Sequence, residues 1–135
     1  MNAKQTELAR QLVASKHWRF LDGMITACGL RICEGGKGYA IGFRCGPTRD
    51  GGGWYDGPDD GLIPDLNDPA TIGCLLALVR EAWGDSLHVR YTEHHKSWWV
   101  LVDRQIGVNG SGDTEGEALA AALLGAPTVT LRAAQ

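Results

Sequence analysis

A chain of 135 residues with 44% hydrophobic and 21% charged residues is long and apolar enough to bury one core without disulfides. Its net charge of -3 argues against general binding of polyanions. No apolar run approaches the roughly 18 residues of a membrane span, and the opening MNAKQTELARQLVASK lacks the apolar stretch of a signal peptide.

A cytoplasmic protein is therefore expected, with Cys28, Cys33, Cys45 and Cys74 as reduced thiols. Glycine is enriched: 19 of 135, about twice the usual share of roughly 7%. Eleven of them lie between Gly29 and Gly61, which predicts a turn-rich segment poor in helix.

A first helix is predicted over residues 5–16, with Thr6 or Asn2 as its cap and Leu8, Ala9, Leu12 and Val13 as its apolar face. His17, Trp18, Arg19 and Phe20 form an aromatic exit, with Trp18 and Phe20 directed at the core. Short antiparallel strands follow over 24–27, 30–33 and 39–44, with tight bends at Cys28-Gly29 and at Gly35 to Gly38. Trp54 and Tyr55 add a further short strand, and residues 46–61 are expected to form a mobile loop rich in glycine and aspartate.

The second helix is predicted over 69–83, in the stretch DLNDPATIGCLLALVREAWGD. Asp68 suits the cap, Pro69 the first turn and Gly84 the left-handed exit. Ile72, Leu75, Leu76, Val79, Ala82 and Trp83 make a broad apolar face, widened by Cys74 and Leu78. Such a helix is expected to pack on more than one side, with Gly73 and Ala77 admitting a second backbone. A hairpin follows over 87–109, with its turn in Glu93 to Ser97 and the return strand WWVLVD. Because side chains alternate along a strand, Trp98 and Trp99 must face opposite sides. Thr114 and Glu117 form a capping box for the last helix, whose packed face is Ala118, Leu119, Ala122 and Leu123 and whose stop is Gly125 and Pro127. Residues 128–135 are read as a frayed tail, or as an added edge strand. The whole is a single α+β domain, a mostly antiparallel curled sheet packed with three helices in the order α-β-β-β-α-β-β-α.

No catalytic motif is present: no G-x-S-x-G, no H-E-x-x-H and no phosphate-binding glycine loop. The cysteine spacing C-x4-C-x11-C lacks the C-x2-C pairs of common zinc sites, so free thiols are the favoured reading. His88 and His94, on one face of a regular strand, stand about 20 Å apart, too far for one metal ion. The aspartates of the 56–65 segment do not follow an EF-hand spacing. No catalytic residue, metal or cofactor is therefore assigned.

Charge is uneven. Residues 19–49 hold Arg19, Arg31, Lys37, Arg44 and Arg49 against Asp22 and Glu34, whereas residues 50–79 hold six aspartates and no lysine or arginine. Exposed tryptophan beside arginine is a common composition of protein-recognition hot spots. The residues expected to meet a partner are Trp54, Trp99, Arg44, Arg49, Asp59 and Asp60. Two alternatives stand beside that reading: a ligand- or metal-binding module built on the glycine-rich sheet and the cysteines, and a small enzyme with a dispersed site.

The stretches PDLNDPATIGCLLALVREAWGD and GDTEGEALAAALLGAP, with the aromatic exit HWRFLDGM, resemble segments of a family of small phage- and prophage-encoded proteins that has no assigned activity. The resemblance implies an accessory protein, expressed in the bacterial host cytoplasm, that binds a host or phage protein without catalysis. Inhibition of a host defence system, in the manner of an anti-CRISPR protein, is one such role. It carries over no functional residues, and the cysteines and the glycine-rich middle depart from the family pattern. The hairpin and following helix also resemble the end of a double-stranded RNA-binding domain. That domain needs lysines where this chain has Asp113, Glu115 and Glu117, so nucleic acid is not the expected partner.

Overall fold

The computed structural model describes residues 1–34, 41–44, 53–55 and 62–127, with 33–34, 41–44 and 53–55 described by backbone only. Three helices and six strands are found among them: α1 (Ala3–Ala14), β1 (Arg31–Glu34), β2 (Ile41–Arg44), β3 (Gly53–Tyr55), α2 (Pro69–Trp83), β4 (Leu87–Thr92), β5 (Ser97–Val102), β6 (Gly110–Gly112) and α3 (Glu115–Leu124). The α+β class and the order of elements are as expected, with β6 added before the last helix. The strands divide into two antiparallel sheets, β1-β2-β3 and β4-β5-β6, instead of one curled sheet. The expected strand over 24–27 is reduced to two isolated bridges, Ile25 with Arg31 and Thr26 with Pro64. Most of the expected loop 46–61 and the tail 128–135 lie outside the described residues.

Local chemistry accounts for each helix. Asn2 caps α1: its Oδ1 accepts from the Gln5 backbone N–H at 2.8 Å, and Gln5 Oε1 accepts from the Asn2 N–H at 3.1 Å. Gln5 is buried, which its position among polar neighbours did not suggest. It trades two 3.1 Å hydrogen bonds with the Asn67 amide, so no polar atom of the pair is stranded. Asp68 caps α2 by accepting from Thr71 N at 2.9 Å, and Gly84 ends it in the left-handed region at φ 67°. Thr71 is fully buried because its hydroxyl both accepts from Ile25 N at 3.0 Å and donates to Ile25 O at 3.1 Å, tying α2 to the segment before β1.

The most enclosed element is α3, not α2. Gly116, Glu117, Ala118, Leu119, Ala120, Ala122 and Leu123 are all buried, and the helix packs against α1, α2, β5 and β6. Its small residues make this possible. A Cβ added to Gly112 on β6 would stand 2.6 Å from Glu117 Cβ and 2.9 Å from Ala118 N. The sheet thus lies almost on the helix backbone, a distance only glycine permits. On α2, by contrast, Gly73 and Ala77 are exposed and nothing stands within 4 Å of a Cβ added to Gly73, so the expected close approach does not occur there.

The core joins Leu12 of α1, Ile32 of β1, Leu75, Leu78 and Val79 of α2, Val100 of β5 and Leu119 and Leu123 of α3. Trp18 and Phe20 close one end of it with rings edge to face, 5.2 Å between centroids. Trp83 bridges α2 to α3 by donating its Nε1–H to Ala122 O at 2.9 Å.

Outside the core, Arg19 clasps Glu81 with two hydrogen bonds of 2.7 and 2.6 Å. That hydrogen bonding holds the Glu81 carboxyl below its ordinary pKa, against a smaller opposing effect of burial. A carboxyl depressed in the folded state adds stability above its ordinary titration range and loses it as pH falls through the folded value. The pair is largely exposed, so Glu81→Gln is expected to cost about 0.2–1 kcal/mol at neutral pH. Urea unfolding should show that difference vanish in acid; a difference that grew in acid would contradict the assignment.

Candidate functional site

Strand pairing sorts the side chains of the second sheet. Leu87 pairs with Val102, Val89 with Val100 and Tyr91 with Trp98 across β4 and β5, while Trp98 and Val100 pair with Gly112 and Gly110 of β6. Those two glycines meet α3, so this face is the inner one. The alternate set therefore faces outward: His88 opposite Leu101, Arg90 opposite Trp99, Thr92 opposite Ser97, and Ser111 beside Trp99. The neighbouring tryptophans are divided as alternation requires, with Trp98 packed inward against Tyr91 at 5.7 Å and Trp99 on the outside.

Trp99 is half-buried because the turn returns over it. Residues 93–96 join the strands, with Lys96 in the left-handed region at φ 50°. The His95 ring lies 4.9 Å from the Trp99 ring at an interplanar angle of 31°, and His94 stands edge-on to His95 at 4.8 Å. Neither histidine extends β4, which ends at Thr92, so the pairing of His88 with His94 on one strand face is not formed. Outward on this sheet, then, is an aromatic shelf: Trp99 in the centre, His95 over it, Arg90 directly across and His88 and Leu101 beyond. Arg90 is the single charged side chain of β4 and β5. A flat indole beside a guanidinium can stack on a partner's side chain while the guanidinium grips a carboxylate.

The far end of the shelf is pinned. Asp85 accepts from Arg104 Nε at 2.8 Å, Ser86 hydrogen-bonds the Asp103 carboxylate, and Asn109 Oδ1 accepts from Val102 N at 2.9 Å. Hydrogen bonding to Arg104 holds the Asp85 carboxyl below its ordinary range.

The other residues expected to meet a partner lie elsewhere. Arg44 ends β2, paired with Arg31, and Trp54 sits in β3 opposite Gly42, both on the first sheet. Arg49, Asp59 and Asp60 lie outside the described residues. The structure thus sets Trp99 on one sheet and Arg44 and Trp54 on the other. Sequence reasoning missed Arg90 and His95. Arg90 was legible, since it alternates with Val89 and Tyr91; the fold of the turn that lays His95 on Trp99 was not.

Of the cysteines, Cys28 is exposed with its Sγ 3.3 Å from Thr26 Oγ1, and Cys74 donates toward Asp22 O at 3.7 Å. Burial raises the Cys74 thiol above its ordinary pKa, with nearby Asp22 and Asp68 adding to the effect. Cys33 is described by backbone only, and Cys45 lies outside the described residues. Among the described residues no three His, Cys, Asp or Glu side chains are grouped to hold a metal ion, and no helix is long and apolar enough to cross a membrane. A depression of about 320 Å³ lies between the exit of α1 and α2, lined by Lys16, His17, Trp18, Arg19, Leu78, Glu81 and Ala82. Its Arg19 and Glu81 are engaged with each other.

No family model matches the chain, and no curated protein or solved structure does.

Proposed function

We propose that this chain is a non-catalytic binding protein that docks a protein partner on the outward shelf of its second sheet. The observation that carries this reading is Trp99, held half-exposed by its own turn with Arg90 across from it. A large ring kept at the surface and braced in place loses little freedom on binding, which is why such residues dominate interface energies. The resemblance of two long segments to phage and prophage proteins supports the finer reading: an accessory protein of a phage or prophage acting on a host or phage protein in the bacterial cytoplasm. An inhibitor of a host defence system, of the anti-CRISPR type, is the form of that role we favour.

The test is recovery of a stoichiometric partner from bacterial lysate by the tagged protein. Trp99→Ala is expected to weaken that complex by at least about 2 kcal/mol, roughly thirtyfold in Kd, as a hot-spot truncation does. Circular dichroism should show the fold retained. A chain recovered alone from every lysate, or a partner held equally by the variant, would overturn the reading.

A further inference from the structure

The edge of the second sheet adds a feature that the shelf alone does not explain. β4 is an outer strand: it pairs with β5 on one side, and among the described residues nothing pairs with it on the other. Its six residues keep an unbroken register with β5 and contain no proline. Natural sheets usually blunt such an edge with a bulge, proline or several charges. Here the only charge is Arg90.

The hydrogen-bond phase shows what the edge offers. Asp103 N donates to Ser86 O at 2.9 Å just before the strand begins. Antiparallel pairs alternate between bonded and non-bonded. His88, Arg90 and Thr92 therefore spend their backbone groups on β5, and Leu87, Val89 and Tyr91 direct theirs outward to the open edge. Val102 N, opposite Leu87, bonds away from β4 to Asn109 Oδ1, as this phase requires. The side chains follow the other alternation: His88 and Arg90 stand on the outer face, Val89 and Tyr91 on the inner.

We infer that the β4 edge receives an extended acidic segment of the partner as a fourth strand. This rests on the protein-binding reading and names the partner's chemistry. Residues of the incoming strand that face Arg90 and His88 must lie on the outer side, where a carboxylate pairs with the guanidinium and accepts from the imidazole. Residues between them lie on the inner side beside Val89 and Tyr91, and Tyr91 is 44% exposed, so apolar side chains there remove its ring from water. The matched segment alternates acidic and apolar residues. A second copy of this chain fits less well: antiparallel pairing of two β4 strands about Val89 sets Arg90 against His88 twice and supplies no carboxylate to either.

The probe is a synthetic hexapeptide alternating glutamate and valine, with two controls: its lysine counterpart, and the glutamate peptide N-methylated on the amides that would face the edge. Amide exchange of Leu87, Val89 and Tyr91 is read by NMR in the full chain. These amides are expected to exchange freely in the protein alone and to slow by about tenfold or more with the glutamate peptide, while neither control has an effect. Arg90→Glu should transfer the preference to the lysine peptide. The inference is overturned by unchanged exchange, by an equal effect of either control, by protection already present in the free monomer, or by protection that rises only with the protein's own concentration. In a complex captured through Trp99, edge amides that still exchange freely would defeat this inference and leave the binding reading standing. Protection by the peptide with no partner recovered from lysate would do the reverse.

Discussion

Replacing Gly116 with alanine is expected to destabilise the protein by at least about 3 kcal/mol, the upper end of overpacking costs. Intrinsic propensity points the other way, since alanine favours a helix over glycine by about 1 kcal/mol. Packing decides the sign. A Cβ at Gly116 would drive into the carbonyl of Leu66, and the Leu66 carbonyl carbon would stand 3.0 Å away. That obstacle is backbone, just ahead of the Asp68 cap, so relief requires moving the start of α2. Gly73 is the control. It too lies within a helix, but a Cβ there meets nothing within 4 Å, so Gly73→Ala should stabilise by about 0.5–1 kcal/mol. Urea midpoints of the two variants should move in opposite directions. A Gly116→Ala protein as stable as the parent would mean that α3 does not lie against the 62–68 segment as described.

Leu119→Ala should cost about 2–5 kcal/mol, the range for emptying a fully enclosed leucine site. Leu119 is 0% exposed at the middle of α3, the helix flanked by α1, α2 and the second sheet. With neighbours on every side the cavity cannot collapse, so both the transfer and the cavity costs apply. Leu76 on α2 is only partly buried, and its truncation should cost about 1 kcal/mol, because water replaces part of what is lost. Against a typical domain stability of about 5–15 kcal/mol, the first change is severe and the second mild. The opposite order would make α2 the more enclosed helix. A midpoint shift without a change in slope would show that stability alone has changed.

The contrast between α2 and α3 shows where sequence reading stops. The apolar stretch of α2 looks like the better core helix because its side chains are large. α3 is the one enclosed because its side chains are small: Gly116, Ala118, Ala120 and Ala122 allow neighbouring backbones to approach. Apolarity along a segment measures how much a helix gains from burial, not how closely others can come to it. The burial of Gln5 and Thr71 is not legible in the sequence for a related reason. Each is polar and buried, and each is acceptable only because a partner distant in sequence, Asn67 or Ile25, satisfies it.

The candidate site divides the same way. Alternation along WWVLVD was enough to separate Trp98 from Trp99, and the same rule applied to LHVRYT places Arg90 outward. That Arg90 and Trp99 are opposite each other depends on register, which the four-residue turn sets. That His95 covers Trp99 depends on the conformation of that turn, with Lys96 at positive φ. The division of six strands into two sheets, which sets Arg44 and Trp54 apart from Trp99, depends on pairings between segments that carry no mark of their partner.

What local chemistry controls is legible from the residues alone: the α+β class, the three helices and their order, the Asp68 and Thr114 caps, the Gly84 exit, and the opposite facing of the two tryptophans. Each rests on interactions within a few residues, where dihedral preference and hydrogen bonding leave little choice. Which helix is enclosed, how the strands divide, which polar residues are buried and which edge is unpaired among the described residues are settled only in the folded chain. Those depend on the distance between segments far apart in the chain, and that distance is set by the sizes of side chains on both sides of a contact at once.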